Sequence, residues 1–124
     1  MQPNPVIWFE IYVNDLQRAK RFYETVFDVK LDKMDTPAPD IEMLSFPMQQ
    51  DAAGAAGALC KMPGYNPGAG TIIYFACDDC AVEEARVERA GGKIQKPKTS
   101  IGQYGAISLI VDTEGNMIGL HSKR

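Results

Sequence analysis

The sequence predicts an α+β fold of two βαβββ modules whose curved sheets pair around a cavity. Three observations carry that expectation. Residues 8–15, WFEIYVND, alternate with period two, Trp8, Glu10 and Tyr12 on one side and Phe9, Ile11 and Val13 on the other. Two runs of helical apolar spacing, LQRAKRFYETVF and CAVEEARVERA, each follow an aspartate able to cap them. The order strand, helix, three strands then occurs twice. Registered on VND at 13–15 and CDD at 77–79, the copies are offset by 64 residues in a chain of 124.

Taken in order, the first strand leads through Asn14 or Asp15 into a helix that places Leu16, Ala19, Phe22 or Tyr23, and Val26 at helical spacing. Short strands follow at VKLDKM, IEMLSF and GALCKM, separated by TPAPD and QQDAAGAAG. The first module is expected over about 5–61, with MPGYNPGAG at 62–70 as a linker and the second module over about 71–122. In that half GTIIYFAC is a strand, Asp78 and Asp79 supply a cap, and the helix stops at Gly91-Gly92. KIQKP is a short strand, YGAISLIVD a longer one, TEGN a turn and MIGLHS the last strand.

The charge balance excludes some functions. A net charge of −3 gives no electrostatic footprint for nucleic acid or an anionic membrane. No apolar run is long enough to span a bilayer, and MQPNPVIWFE has no basic region followed by an apolar core. The three cysteines, Cys60, Cys77 and Cys80, are an odd number and suit a reducing compartment, so a cytoplasmic protein is expected.

The pattern resembles the vicinal oxygen chelate superfamily, which includes glyoxalase I, bleomycin- and fosfomycin-resistance proteins and extradiol dioxygenases. In the first half the likeness rests on VNDLQRAKRFYETVFDV. In the second it rests on CDDCAVEEARVERAGGKI and on VDTEGNMIGL, similar to the family's Asp-x-x-Gly-Asn turn and final strand. It is closest to bacterial glyoxalase-like proteins with a YFxCxDCAVEE segment and a DTEGNxxGLHS ending. It spans nearly the whole chain and implies the fold, which hosts many activities. Homodimers are common in the family, so a homodimer is expected.

The family's metalloenzymes hold a divalent ion that polarises two neighbouring oxygens of a substrate. Carried over one at a time, the first-strand ligand place falls on Trp8, the fifth-strand place on Ile72 and the last-strand glutamate on Gly119. The fourth-strand place lies within GALCKM, which holds no carboxylate or imidazole. Trp, Ile and Gly offer such an ion no side-chain ligand, so no cofactor is expected.

Strand parity then gives the cavity lining: Trp8, Glu10 and Tyr12; Ile72, Tyr74 and Ala76; Met117, Gly119 and His121. Phe9, Ile11 and Val13 fall under the first helix, and Ile73, Phe75 and Cys77 under the second. An aromatic pocket with a few polar groups suits a small organic molecule. Glu10 is read either as a general base or counter-charge, its aromatic neighbours favouring a cationic or amine ligand, or as a glutamate hydrated or paired with a lysine such as Lys61. His121 is a weaker candidate for proton transfer, beside a structural role.

CDDC at 77–80 reads as packing, because a four-cysteine zinc site lacks its further ligands. Lys93, Lys96 and Lys98, beside a flexible IGQYG loop, form a basic patch that is either an anion site or solvated surface. Three functions stay open: a metal-free small-molecule binder, a metal-independent isomerase or lyase with Glu10 as base, and a glyoxalase-type metalloenzyme using atypical ligands such as Glu10 and His121.

Overall fold

The computed structural model describes residues 4–36, 38–64, 70–113 and 115–124. Its elements are β1 (Val6–Tyr12), α1 (Leu16–Phe27), β2 (Asp32–Lys33), β3 (Glu42–Ser45), β4 (Ala56–Lys61), β5 (Thr71–Ala76), α2 (Cys80–Val87), β6 (Lys93–Ser100), a 3-10 turn (Gly102–Tyr104), β7 (Ala106–Val111) and β8 (Met117–Ser122). Within the expected linker, 65–69 fall outside the described residues, as do Pro37 of TPAPD and Glu114 of the TEGN turn. The chain divides into two compact units, Trp8–Thr71 and Ile72–Arg124 together with Met1–Ile7.

In the unit Trp8–Thr71 the strands run β2-β3-β4-β1, with β1 and β4 parallel and the other neighbours antiparallel. Of the two candidate caps, Asp15 is the one used. Its side chain accepts from the Arg18 backbone N–H at 3.0 Å, which satisfies a donor the helix leaves open. At the other end Asp28 takes the left-handed conformation, φ 52°, and its N–H closes onto the Glu24 carbonyl. The helix packs Leu16, Ala19 and Tyr23 onto a core of Leu31, Leu44 and Leu59, joined by Ile11 and Val13, while Phe9 meets the Phe46 ring at 5.6 Å. Parity therefore holds for this strand.

The unit containing α2 orders its strands β5-β8-β7-β6, with β5 and β8 again parallel. Asp79 caps α2 by accepting from the Ala81 N–H at 3.0 Å. The two caps used, Asp15 and Asp79, are the residues on which the halves were registered. Cys80, Val87, Ala106, Ile110 and Leu120 form the core, with Phe75 and Cys77 packed against it.

Several expectations need correction. Ile73 does not pack under α2: it is 37% exposed, because α2 spans 8 residues against 12 for α1 and leaves the start of β5 uncovered. The strand expected over VKLDKM shrinks to Asp32–Lys33. Leu31 turns into the core, and its N–H goes to the Glu24 carboxylate at 2.9 Å instead of to a neighbouring strand. KIQKP extends to Lys93–Ser100, with register shifts around Lys96 that accommodate Pro97 in the outermost strand of its unit. The loop IGQYG contains the 3-10 turn over Gly102–Tyr104.

Candidate functional site

The face of β1 that raised the question of function is organised around Glu10. The Trp8 indole N–H donates to one carboxylate oxygen at 3.1 Å, and the Tyr12 hydroxyl donates to the other at 2.6 Å. Both donors stand two positions away on the strand, which is the spacing that puts side chains on one face. Tyr12 is buried, whereas Trp8 and Glu10 retain partial exposure. Parallel pairing sets Ala56 beside Trp8, Ala58 beside Glu10 and Cys60 beside Tyr12. Burial, with the negative charge of Glu10 nearby, pushes the Cys60 thiol far above its ordinary value. Lys61, the suggested partner of Glu10, has the opposite parity, pairs with Glu42 and is exposed.

In the other unit, β5 buries Ile72 and Tyr74, and β8 carries Met117, Gly119 and His121. Tyr74 and Gly119 are direct partners across the parallel pair. A Cβ at position 119 would clash with the Tyr74 ring, so the ring packs against the bare glycine backbone. His121 Nε2 is 2.6 Å from the Tyr104 carbonyl oxygen. A carbonyl only accepts, so Nε2 carries the proton and Nδ1 is the ring atom left to act as a base. His121 thus holds the 3-10 turn against β8, a structural task.

The repeat supplies the fourth ligand place that the sequence left open. Glu10 and Tyr74 occupy equivalent positions, and their parallel partners are Ala58 and Gly119. The places that the family resemblance points to, two in each unit, thus hold Trp8 and Ala58 in one and Ile72 and Gly119 in the other. The Trp8 N–H already donates to Glu10, and the Tyr74 ring covers Gly119. Among the described residues no three His, Cys, Asp or Glu side chains gather closely enough to hold an ion. The donor set at these places does not fit a divalent metal.

CDDC is part of the core. Cys80 is fully buried, and burial, together with Glu83 beside it, pushes the Cys77 thiol up to about 11. Of the three patch lysines, Lys98 is tied to Asp79 at 2.7 Å. That pairing holds the Asp79 carboxyl below its ordinary range and raises the Lys98 ammonium.

With this geometry in place, comparison with known proteins decides the family. The family model for the Glyoxalase/Bleomycin resistance protein/Dioxygenase superfamily matches residues 6–120. This chain belongs to that superfamily. Among curated proteins, a Mycobacterium tuberculosis protein provisionally named glyoxylase CFP32 is 30% identical over 116 residues, covering 91% of this chain and 43% of its own, as is its Mycobacterium bovis counterpart. The chain thus spans less than half the length of the curated relatives it matches. Among solved structures, methylmalonyl-CoA epimerase from Streptomyces coelicolor, in complex with 2-nitronate-propionyl-CoA, aligns with TM-score 0.68 at 14% identity over 96% of both chains. Methylmalonyl-CoA epimerase from Mycobacterium tuberculosis gives 0.69 at 15% identity, over 97% of this chain and 88% of that one. An uncharacterised Methanosarcina mazei protein gives 0.62 at 17%. At these identities the structural likenesses establish the glyoxalase-like fold.

Proposed function

We propose that this superfamily member binds a small organic molecule bearing an amine or other cationic group on the Trp8–Glu10–Tyr12 face, without a divalent metal. One observation carries the reading: the Glu10 carboxylate is held in place by the Trp8 indole and the Tyr12 hydroxyl. Both donors are neutral. They orient the carboxylate from either side, one donor to each oxygen. An indole and a phenol at its flanks add ring faces that attract a cation. The absence of ligating side chains at positions 8, 58, 72 and 119 supports the metal-free part.

The test is a thermal-shift panel followed by calorimetric titration. Quaternary ammonium, guanidinium and benzylamine probes are expected to bind, and size-matched neutral and anionic probes are not. Glu10→Gln, which keeps the shape and removes the charge, is expected to abolish the preference. Silence across the panel, or a preference that survives Glu10→Gln, overturns the proposal.

The fixed carboxylate favours a second reading, a metal-independent lyase or isomerase in which Glu10 takes a proton from an acidic carbon. It makes its own prediction: wild-type protein exchanges that carbon's hydrogen in D2O, and Glu10→Gln does not.

A further inference from the structure

The outermost strand of the α2 unit, β6, reads KIQKPKTS. In a regular strand Lys93 and Lys96 stand on opposite faces, because faces alternate with every residue. Here they share one. Ile94 pairs with Ile110 and packs into the core under α2, which puts Lys93, the partner of Val111, on the opposite face. A register shift then pairs Lys96 with Leu109, two positions from Val111 and therefore on the face of Lys93. A second shift, around Pro97, pairs Thr99 with Ile107 on that face again and leaves Lys98 toward α2, where it meets Asp79. The shifts bring Lys93 and Lys96 together and take Lys98 out of the patch.

This backbone is held from behind. The fully buried Ser108 hydroxyl donates to the Lys96 carbonyl at 3.1 Å. The Thr99 hydroxyl donates to the Pro97 carbonyl at 2.7 Å, and the Lys98 N–H donates to the Glu84 carboxylate at 2.6 Å. Lysines and a proline that served only to discourage strand pairing at an edge would not need three consecutive residues fixed in this way.

The charge of the face is of one sign. None of β5, β6, β7 and β8 contains an aspartate or glutamate. Across the other unit one row of partners runs Glu10, Ala58, Ser45, Asp32. The equivalent row of the repeat runs Tyr74, Gly119, Leu109, Lys96. Lys96 thus stands where the duplicate strand has Asp32. Among the described residues the ion pairs are Lys20–Glu24 and Lys98–Asp79, so neither Lys93 nor Lys96 is neutralised by a carboxylate. Both are exposed, and Val111, which neighbours Lys93, pairs with Met117 to give a half-buried apolar surface beside them.

We propose that Lys93 and Lys96 bind the dianionic phosphate of a small phosphate monoester, whose apolar part lies against Val111 and Met117. Two ammonium groups match two negative charges, and these strands carry no arginine fork to select a planar carboxylate. A singly charged anion meets only half of that complement and is not held. The site is independent of the amine reading of Glu10.

Calorimetric titration at low ionic strength tests it, at a mildly alkaline pH where a phosphate monoester carries both charges. Phenyl phosphate is expected to bind, inorganic phosphate more weakly, and benzoate not measurably. Lys93→Gln and Lys96→Gln are each expected to weaken phenyl phosphate binding about tenfold, with unchanged circular dichroism. Lys33→Gln removes the same charge from an exposed lysine of the other unit and is expected to leave binding unchanged. No binding of phenyl phosphate, equal binding of benzoate, or a loss in Lys33→Gln as large as in Lys96→Gln overturns the proposal. Inorganic phosphate binding as tightly as phenyl phosphate overturns the part assigned to Val111 and Met117.

Discussion

Glu10 depends on two side chains from its own strand, and one of them can be altered without moving the backbone. Tyr12→Phe keeps the ring that fills the strand's end and removes the hydroxyl at 2.6 Å. A bond to an ionised acceptor, partly screened by the exposure of Glu10, contributes about 1–2 kcal/mol. Urea unfolding is therefore expected to show that loss with an unchanged slope. Cys77 gives a pH prediction. Its thiol is pushed up to about 11 in the folded chain from an ordinary 9.0. The folded pKa lies above the unfolded one, so the associated stability is whole below pH 9 and is lost as pH rises toward 11. Denaturation curves at pH 8 and above pH 10 are expected to show the decline. At this scale the sequence was legible where the determinant was local. Period two placed Trp8, Glu10 and Tyr12 on one face, and proximity in sequence made them partners. It did not distinguish an indole serving as a wall from one donating to a carboxylate, because that depends on rotamers set by packing. Nor did it reveal the His121 bond to the Tyr104 carbonyl, whose partners stand 17 residues apart.

Each parallel strand pair lays an aromatic ring over a glycine. Phe9 covers Gly57 across β1 and β4, and Tyr74 covers Gly119 across β5 and β8. The two pairs lie on opposite faces relative to their helices, because Phe9 has the parity of the α1 core and Tyr74 does not. In both, the missing side chain is what lets the ring lie down. Gly119→Ala is accordingly expected to cost about 1–3 kcal/mol through displacement of the Tyr74 ring, an overpacking effect. Pairing it with Tyr74→Ala, which removes the obstruction, is expected to give less than the sum of the two losses in a double-mutant cycle. Elements whose ends are set by side-chain capping, α1 and the start of α2, matched the sequence reading. Those whose ends are set by other elements did not. β2 shortened because the Glu24 carboxylate captured the Leu31 N–H, and β6 lengthened because β7 offered it a full partner. The covering of Gly119 was illegible for the same reason: it needs the register between two strands 45 positions apart.

At the scale of the molecule, family and chemistry come apart. Internal duplication with paired aspartate caps was enough to read the fold, because a repeat constrains architecture without specifying what lines it. Membership of the glyoxalase superfamily invites a metal, and the places it points to hold Trp8 and Ala58 in one unit and Ile72 and Gly119 in the other. A native site binding a divalent ion at one hundred times its dissociation constant stabilises the fold by about 2.7 kcal/mol, several degrees of Tm for a chain of this size. Nickel, zinc and manganese added to metal-stripped protein are each expected to leave Tm unchanged, and chelator to lower it for none of them. Gly119→Glu, which supplies the carboxylate usual in the last strand, is expected to destabilise the protein through the Tyr74 ring without conferring metal-dependent stabilisation, because its own unit offers that carboxylate only Ile72 at the companion place. A reproducible rise in Tm with one of these ions in the wild-type chain, saturating at one equivalent, would locate ligands at other positions and reverse the metal-free reading.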